Sequence, residues 1–252
     1  MKKVFASDFD GTLYFYKAEV KLPPENVEKV HEYQAAGHYF GLCTGRQVGG
    51  LTPFIGGLIQ PDFWITSTGS NIIDRDMKEI RKLFVDRDVI QQIIDDVRPR
   101  GNRISIDIDG VINVFEEMDY PGEYNIITGM ADAPKGLVHG VGIHCETLEE
   151  AAALTKELND KYGDYLNAFQ NVIEVDIAPK GTSKGEAVSV IRQYYGDCKV
   201  YAIGDSMNDL PLLEAADVSY TFHYAPEEVQ RKATKVVDTI VDALEDSMRD
   251  PV

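Results

Sequence analysis

Short apolar runs alternate with amphipathic stretches along much of the chain. "KVFAS" (3–7) predicts a core strand that stops at Asp8. "LPPENVEKVHEYQAAG" predicts a helix, with prolines at its start, Val27, Val30 and Gln34 on one face, and Gly37 as its stop. "HYFGLCTG" (38–45) and the segment around 63–67 predict two more strands. Strands spaced by helix-sized segments are the pattern of a parallel α/β sheet. The rhythm breaks in the middle. "DVIQQIIDDV" (88–97) has a helical apolar period. "RISIDI" and "VINVF" flank Asp109-Gly110, a hairpin signal. Residues 116–137 predict no element; Tyr120, Tyr124 and Asn125 lie there and suit packing or substrate contact equally. "VHGVGIHCE" (138–146) predicts a strand. "TLEEAAALTKELNDKYG" predicts a helix with Thr147 and Glu150 as a capping box and a stripe of Leu148, Ala151, Ala152, Thr155 and Leu158. "YLNAF" and "VIEVDIA" predict two strands.

After residue 178 the α/β rhythm resumes: helix "TSKGEAVSVIRQYYG" with Ser183 and Glu186 as a second capping box, strand "KVYAIGD", short helix "SMNDLPLLEAA", strand "VSYTF" and a helical start at "APEEVQRKA". The expected fold is therefore α/β: a Rossmann-like parallel-sheet core from residues 1–84 and 179–252, interrupted by an α+β cap at 85–178.

Composition narrows the function. The 252 residues and 44% apolar content suit one large or two moderate folded domains. A formal charge of −17 argues against long-range attraction to nucleic acid or an anionic membrane, while leaving room for a small anionic substrate in a locally positive pocket. No apolar run reaches membrane-spanning length, and the N-terminus lacks a secretory pattern. Three scattered cysteines, Cys43, Cys145 and Cys198, fit a reducing compartment, so a cytoplasmic location is expected.

The chemistry gathers at predicted strand ends, the edge where open α/β sheets bind ligands. Asp8 and Asp10 follow the first strand, Thr44-Gly45-Arg46 the second, and Asp205 with Asn208-Asp209 a late one. Asp and Asn also follow strands as turn residues. Clustered carboxylates, however, need a compensating cation, and oxygen donors suit Mg²⁺. Thr44 can donate a hydroxyl to a phosphoryl oxygen, and Gly45 permits close backbone approach. Lys184 stands at a helix start that disfavours a cation, which marks it for function over Lys180 in the preceding turn. Arg46 either binds phosphate or pairs with an acid. His139, His144 and Cys145 match no usual zinc spacing. No Walker, dinucleotide or serine-nucleophile motif fits its required context.

"DFDGTL" (8–13), "TGR" (44–46), the lysine of "SKGEA" (183–187) and "GDSMND" (204–209) together resemble the haloacid dehalogenase superfamily. Within it they resemble the Cof-type phosphatases, which carry an α+β cap between the second and third motifs. That resemblance implies Mg²⁺-dependent hydrolysis of small phosphate esters, often sugar phosphates. It implies Asp8 as nucleophile and metal ligand, and Asp10 as acid/base with its carbonyl on the metal. Thr44 and Asn208 would be on phosphate, Lys184 on the nucleophile and phosphoryl charge, and Asp205 and Asp209 on the metal, the latter directly or through water. A phosphosugar mutase would share these motifs, and a phosphoacceptor signalling protein would share the acidic cluster. "STGS" (67–70) and "SYTFHYAPEEV" depart from the family's usual loops, which bears on loop contacts and substrate choice.

Overall fold

The structure is a computed structural model describing residues 2–118 and 122–251. Tyr120 lies outside the described residues. The core sheet has eight strands in the order β14-β13-β12-β1-β2-β3-β4-β5. These are β1 (Lys2–Ser7), β2 (Tyr39–Cys43), β3 (Phe63–Thr66), β4 (Asn71–Asp74), β5 (Glu79–Lys82), β12 (Cys198–Ile203), β13 (Val218–Phe222) and β14 (Lys235–Val237). Six are mutually parallel; β4 and β5 pair antiparallel at one edge, so the sheet is mixed where a parallel one was expected. A tight hairpin with Met77 at φ 63° makes that reversal.

Alternation along each strand feeds two apolar layers. Val4, Ala6, Ile65 and Ala202 face a layer completed by Ala187, Val188 and Ile191. Phe5, Phe40, Tyr201 and Tyr220 face the other, closed by Val30, Tyr33, Ala243 and Leu244. The helices supplying these side chains are α1 (Pro24–Ala35), α5 (Lys184–Tyr195) and α8 (Ile240–Arg249); α2 (Thr52–Ile55), α6 (Leu210–Ala215) and α7 (Glu227–Lys232) are short. Lys3, buried on β1, donates to the carbonyls of Ser247, Met248 and Asp250 and so caps α8.

The inserted unit is a six-stranded sheet in the order β10-β11-β9-β6-β7-β8. Its strands are β6 (Arg103–Ile108), β7 (Val111–Val114), β8 (Tyr124–Ile126), β9 (Val138–His144), β10 (Leu166–Asn171) and β11 (Glu174–Pro179). The β6–β7 hairpin turns at Asp109 (φ 48°) and Gly110 (φ 89°), as its Asp-Gly pair predicts. One face of this sheet is apolar. Ile104, Ile106, Val141, Ile143, Val175 and Ile177 pack under α3 (Arg87–Val97) and α4 (Leu148–Tyr162). Thr147 caps α4, accepting from the Glu150 N–H at 3.1 Å. The buried stripe of α4 is Ala151, Leu154, Leu158 and Tyr162; Leu148 is exposed, so the expected stripe is rotated off the true one. Tyr124 and Asn125 bond within the cap, to the Met118 carbonyl and the Asn113 amide. The sheet's opposite face is polar and looks onto the core strand ends.

Candidate active site

The first carboxylate stands one residue past the end of β1, level with the end of β12. Asp8 N–H still donates to Ile203 O at 2.9 Å, so the side chain leaves the sheet from a paired, rigid position. The chain then turns sharply: Leu13 and Tyr14 N–H both donate to Phe9 O. Gly11 sits in that turn at φ +80°, and a Cβ there would lie 2.6 Å from Asp205 Oδ2. Glycine is thus required both by backbone conformation and by the carboxylate beside it. Thr12 Oγ1 donates to the same Asp205 carboxylate at 3.1 Å.

Lys184 opens α5 just after its cap, Ser183, which accepts from Glu186 N–H. Its side chain is buried and donates to Asp8 Oδ1 at 2.7 Å and to Asp209 Oδ1 at 2.6 Å. Asp209 Oδ2 accepts from the backbone N–H groups of Asp205 and Ser206, each at 3.0 Å. Lys184 therefore joins three segments that are remote in sequence; Lys180, its sequence competitor, is exposed. Burial pulls the Lys184 ammonium down, but Asp209 and Asp8 overcome that and hold it well above its ordinary value.

Oxygen atoms of Asp8, Asp205 and Asp209 lie within 4.8 Å of one another. One lysine does not balance three carboxylates. Burial, then the charge of Asp209, raises the Asp8 carboxyl well above the usual range. Burial and Asp209 likewise push Asp205 up to about 7. A hard divalent cation fits this all-oxygen set, because it would relieve that repulsion. The Asp10 carboxylate is not part of the cluster. Arg46 holds it in a two-point clasp, Nε to Oδ2 at 2.6 Å and Nη2 to Oδ1 at 2.9 Å. Of the two readings open for Arg46, the structure has it paired with an acid. Its guanidinium also lies against Phe54 and Tyr16, 4.8 and 5.2 Å from their ring centroids.

Thr44 is buried; its hydroxyl accepts from Arg46 N–H at 3.2 Å and faces a cavity of about 560 Å³ between core and cap. Asn208 lines the same cavity, with Oδ1 accepting from Ser206 Oγ at 2.6 Å. Gly45 faces the cap: a Cβ would come 2.7 Å from Asp176 Oδ2. The structure thus brings Asp8, Asp10, Thr44, Gly45, Arg46, Lys184 and Asn208 to one cavity, with Asp205 and Asp209 joined to it through Asp8 and Lys184.

Several contributors escaped the sequence reading. Ser67 and Thr68, in the unusual "STGS" loop, both adopt φ near 50° (49° and 56°), conformations uncommon for such residues. That bend aims Ser67 Oγ at the cap residue Asp107, 2.5 Å away. Tyr224 stacks on Phe222 and donates to Gly11 O at 2.5 Å, pinning the turn beside Asp10. Asp176 faces the core from β11, and burial pushes its carboxyl up to about 6. Only the departures of the two loops from the familiar pattern hinted at the first pair. The histidines stay structural: His139 bonds Leu83 O, and His144 pairs with Glu174. The three cysteines are free and buried. Among the described residues, no helix is long and apolar enough to cross a membrane.

The chain matches the haloacid dehalogenase-like hydrolase family over residues 5–243 and belongs to it. It is 26% identical to a 5-amino-6-(5-phospho-D-ribitylamino)uracil phosphatase of Bacillus subtilis, over 95% of this chain and 91% of that one. It is also 26% identical to a phosphoglycolate phosphatase of Sulfurisphaera tokodaii, over 92% and 86%. A haloacid dehalogenase-like hydrolase from Bacteroides thetaiotaomicron superposes with a TM-score of 0.82 at 20% identity, covering 98% of this chain and all of that one (100%). Family membership and the aspartate cluster make the chain an enzyme with phosphatase chemistry.

Proposed function

We infer that this enzyme is a Mg²⁺-dependent phosphomonoester hydrolase of the Cof-type branch, acting on small hydroxylated phosphate esters of the sugar-phosphate class. The observation that carries the reading is the buried Lys184 ammonium shared between Asp8 and Asp209 at 2.7 and 2.6 Å, under a cap and beside a cavity. In this reading Asp8 is the nucleophile. Lys184 fixes one of its oxygens, leaving the other to attack phosphorus in line. The ammonium, the Thr44 hydroxyl and the Asn208 amide then surround the equatorial phosphoryl oxygens as charge builds on them. Asp10 delivers a proton to the departing alkoxide and recovers one from the water that cleaves the Asp8 acyl phosphate. Arg46 holds the Asp10 carboxylate in place for both transfers.

Asp8, Asp205 and the Asp10 carbonyl would hold Mg²⁺. Asp209, already accepting from Lys184 and two amides, serves mainly to position that set. When bound, Mg²⁺ supplies positive charge against the phosphoryl oxygens. The cap closes the cavity against bulk water. The preference for hydroxylated esters rests on the cap carboxylates Asp107 and Asp176, which accept hydrogen bonds and repel a second anion.

Release of inorganic phosphate from ribose 5-phosphate and phosphoglycolate, with Mg²⁺ and with EDTA, tests the reading. We expect Mg²⁺-dependent release, faster from the sugar phosphate, and an acid-trapped phosphoenzyme in wild type but not in Asp8→Asn. Conversion to an isomeric sugar phosphate without net phosphate release would identify a mutase instead.

A further inference from the structure

The loop after β13 reaches back to the catalytic turn. Tyr224 stands just past the strand end, in the stretch "SYTFHYAPEEV" that departs from the family's pattern. Its ring stacks on the buried Phe222, with centroids 4.7 Å apart and planes 9° from parallel. From there its hydroxyl donates to Gly11 O at 2.5 Å, across 213 residues of chain. In the sheet, β12 lies between β13 and β1, and Asp205 follows β12. The bond therefore bridges the strand that leads to Asp205. The loop has other bonds to hold its own shape. Ala225 N–H donates to Phe222 O at 3.1 Å, Gln230 Nε2 donates to the carbonyls of His223 and Ala225, and Ala225 packs with Leu213 and Val229. What the hydroxyl constrains is the Gly11 side.

Gly11 joins two peptide units. The first carries the Asp10 carbonyl and the Gly11 N–H. That N–H donates to Tyr14 O at 2.8 Å, so the Asp10 carbonyl of the same trans peptide points the opposite way. The second unit carries the Gly11 carbonyl and the Thr12 N–H. Its N–H reaches Phe9 O only at 3.4 Å, which leaves the bond from Tyr224 as its shorter anchor. Thr12 Oγ1, next along the chain, donates to Asp205 Oδ1 at 3.1 Å. A glycine at φ +80° is free to swivel between two such units unless both are held. Tyr14 O holds the first, and Tyr224 holds the second.

We propose that Tyr224 is a positioning residue for the cation site. Its hydroxyl holds the Gly11–Thr12 peptide, and with it the Asp10 carbonyl on one side and the Thr12 hydroxyl against Asp205 on the other. This inference rests on the phosphatase reading above, in which Asp8, Asp205 and the Asp10 carbonyl hold Mg²⁺. Without the hydroxyl, the turn of the metal-free protein spreads over several conformers, of which only a fraction is set for the cation. Apparent affinity falls by that fraction, while the fold, relaxed around the turn, loses little.

Tyr224→Phe keeps the ring on Phe222 and removes only the hydroxyl. Calorimetric titration of Mg²⁺ into the EDTA-stripped and dialysed protein reads the effect without turnover. The Kd should rise about fivefold in the variant, the effect of one lost hydrogen bond. The Mg²⁺ concentration for half-maximal turnover of p-nitrophenyl phosphate should rise by the same factor, with a smaller change in KM for the ester. In the metal-free variant the Gly11 and Thr12 amides should exchange with deuterium about fivefold faster. The Asp8 amide, held by Ile203 O, should keep its rate. A bond that only ties the loop down would lower the melting temperature equally with and without Mg²⁺ and leave Kd unchanged. That result overturns the proposal, as do unchanged exchange rates at Gly11 and Thr12. In a wild type that hydrolyses the ester, either outcome removes this proposal alone. Absence of Mg²⁺-dependent phosphate release by wild type would overturn the phosphatase reading and this one with it.

Discussion

The two walls of the catalytic cavity are built on opposite terms. On the core wall the charged atoms are partnered: Lys184 with Asp8 and Asp209, Asp209 with two backbone amides, Asp10 with Arg46. Each of these side chains leaves the end of a parallel strand or the start of a helix, where the backbone is already held. On the cap wall the Asp176 carboxylate has, among the described residues, one side-chain bond, from Asn171 Nδ2 at 3.2 Å, and Gly142 stands where a side chain could have filled the sheet face. A site knit by ion pairs on one side, with the charge of Asp205 left over, and unfilled on the other separates the reaction from the choice of ester. Substitutions on the core wall should destroy chemistry or stability, while those on the cap wall should redistribute preference.

The largest effect is expected at Asp8. Asp8→Asn should lower turnover of p-nitrophenyl phosphate by about 10⁴-fold or more, with an unchanged circular dichroism spectrum. Near-native turnover would break the assignment of the core wall. Lys184→Met should come next, because it strands buried carboxylates. A loss of about 3–5 kcal/mol in urea denaturation is expected without Mg²⁺. A loss below about 1 kcal/mol would mean that the pairing is incidental.

Metal removal should reveal the surplus charge. Asp205, raised to about 7, keeps a proton in the folded state that the unfolded chain releases near pH 4. The native state then binds more protons than the unfolded state between those values. Stability of the EDTA-treated protein should therefore fall as pH rises from about 4 to about 7. Added Mg²⁺ should raise the melting temperature more at pH 8 than at pH 5; an equal rise at both would count against the cluster as its site. The smallest effect belongs to the cap. Asp176, raised to about 6, has the same sign and a window of about pH 4 to 6. Asp176→Asn should stabilise the protein by about 1 kcal/mol at pH 8 and by less at pH 4. The opposite pH trend in thermal melts would show that the carboxylate is held by something stronger than Asn171.

Legibility in the sequence followed the same division. Asp8, Asp10, Asp205 and Asp209 could be read because each stands within a few residues of an apolar run that can only be a buried strand, so the sheet itself brings them together. The polar face of the cap sheet could not be read. It depends on the register of β6, β9 and β11, and a slip of one residue would turn Gly142 and Asp176 to the apolar face. The α4 stripe was misplaced because Leu148 and Ala152 are apolar yet exposed, and hydrophobic type alone does not say which side a partner occupies. The β4–β5 hairpin was missed because "DRDMKE" carries no glycine or proline to announce a turn. Arg46 stayed ambiguous because its partner, Asp10, is a neighbour only in space.

Asp209 has a further consequence. It is fully buried, and one of its oxygens is the acceptor for the amides of both Asp205 and Ser206. Those two amides sit in a loop and belong to no strand ladder, where deuterium would ordinarily enter quickly. Here they can be labelled only when the carboxylate lets go, and the other oxygen of that carboxylate is the one Lys184 holds. Their exchange rates thus time the opening of the catalytic constellation apart from the breathing of the surrounding fold. Two backbone protons become a clock for how often the site falls apart while the protein stays folded.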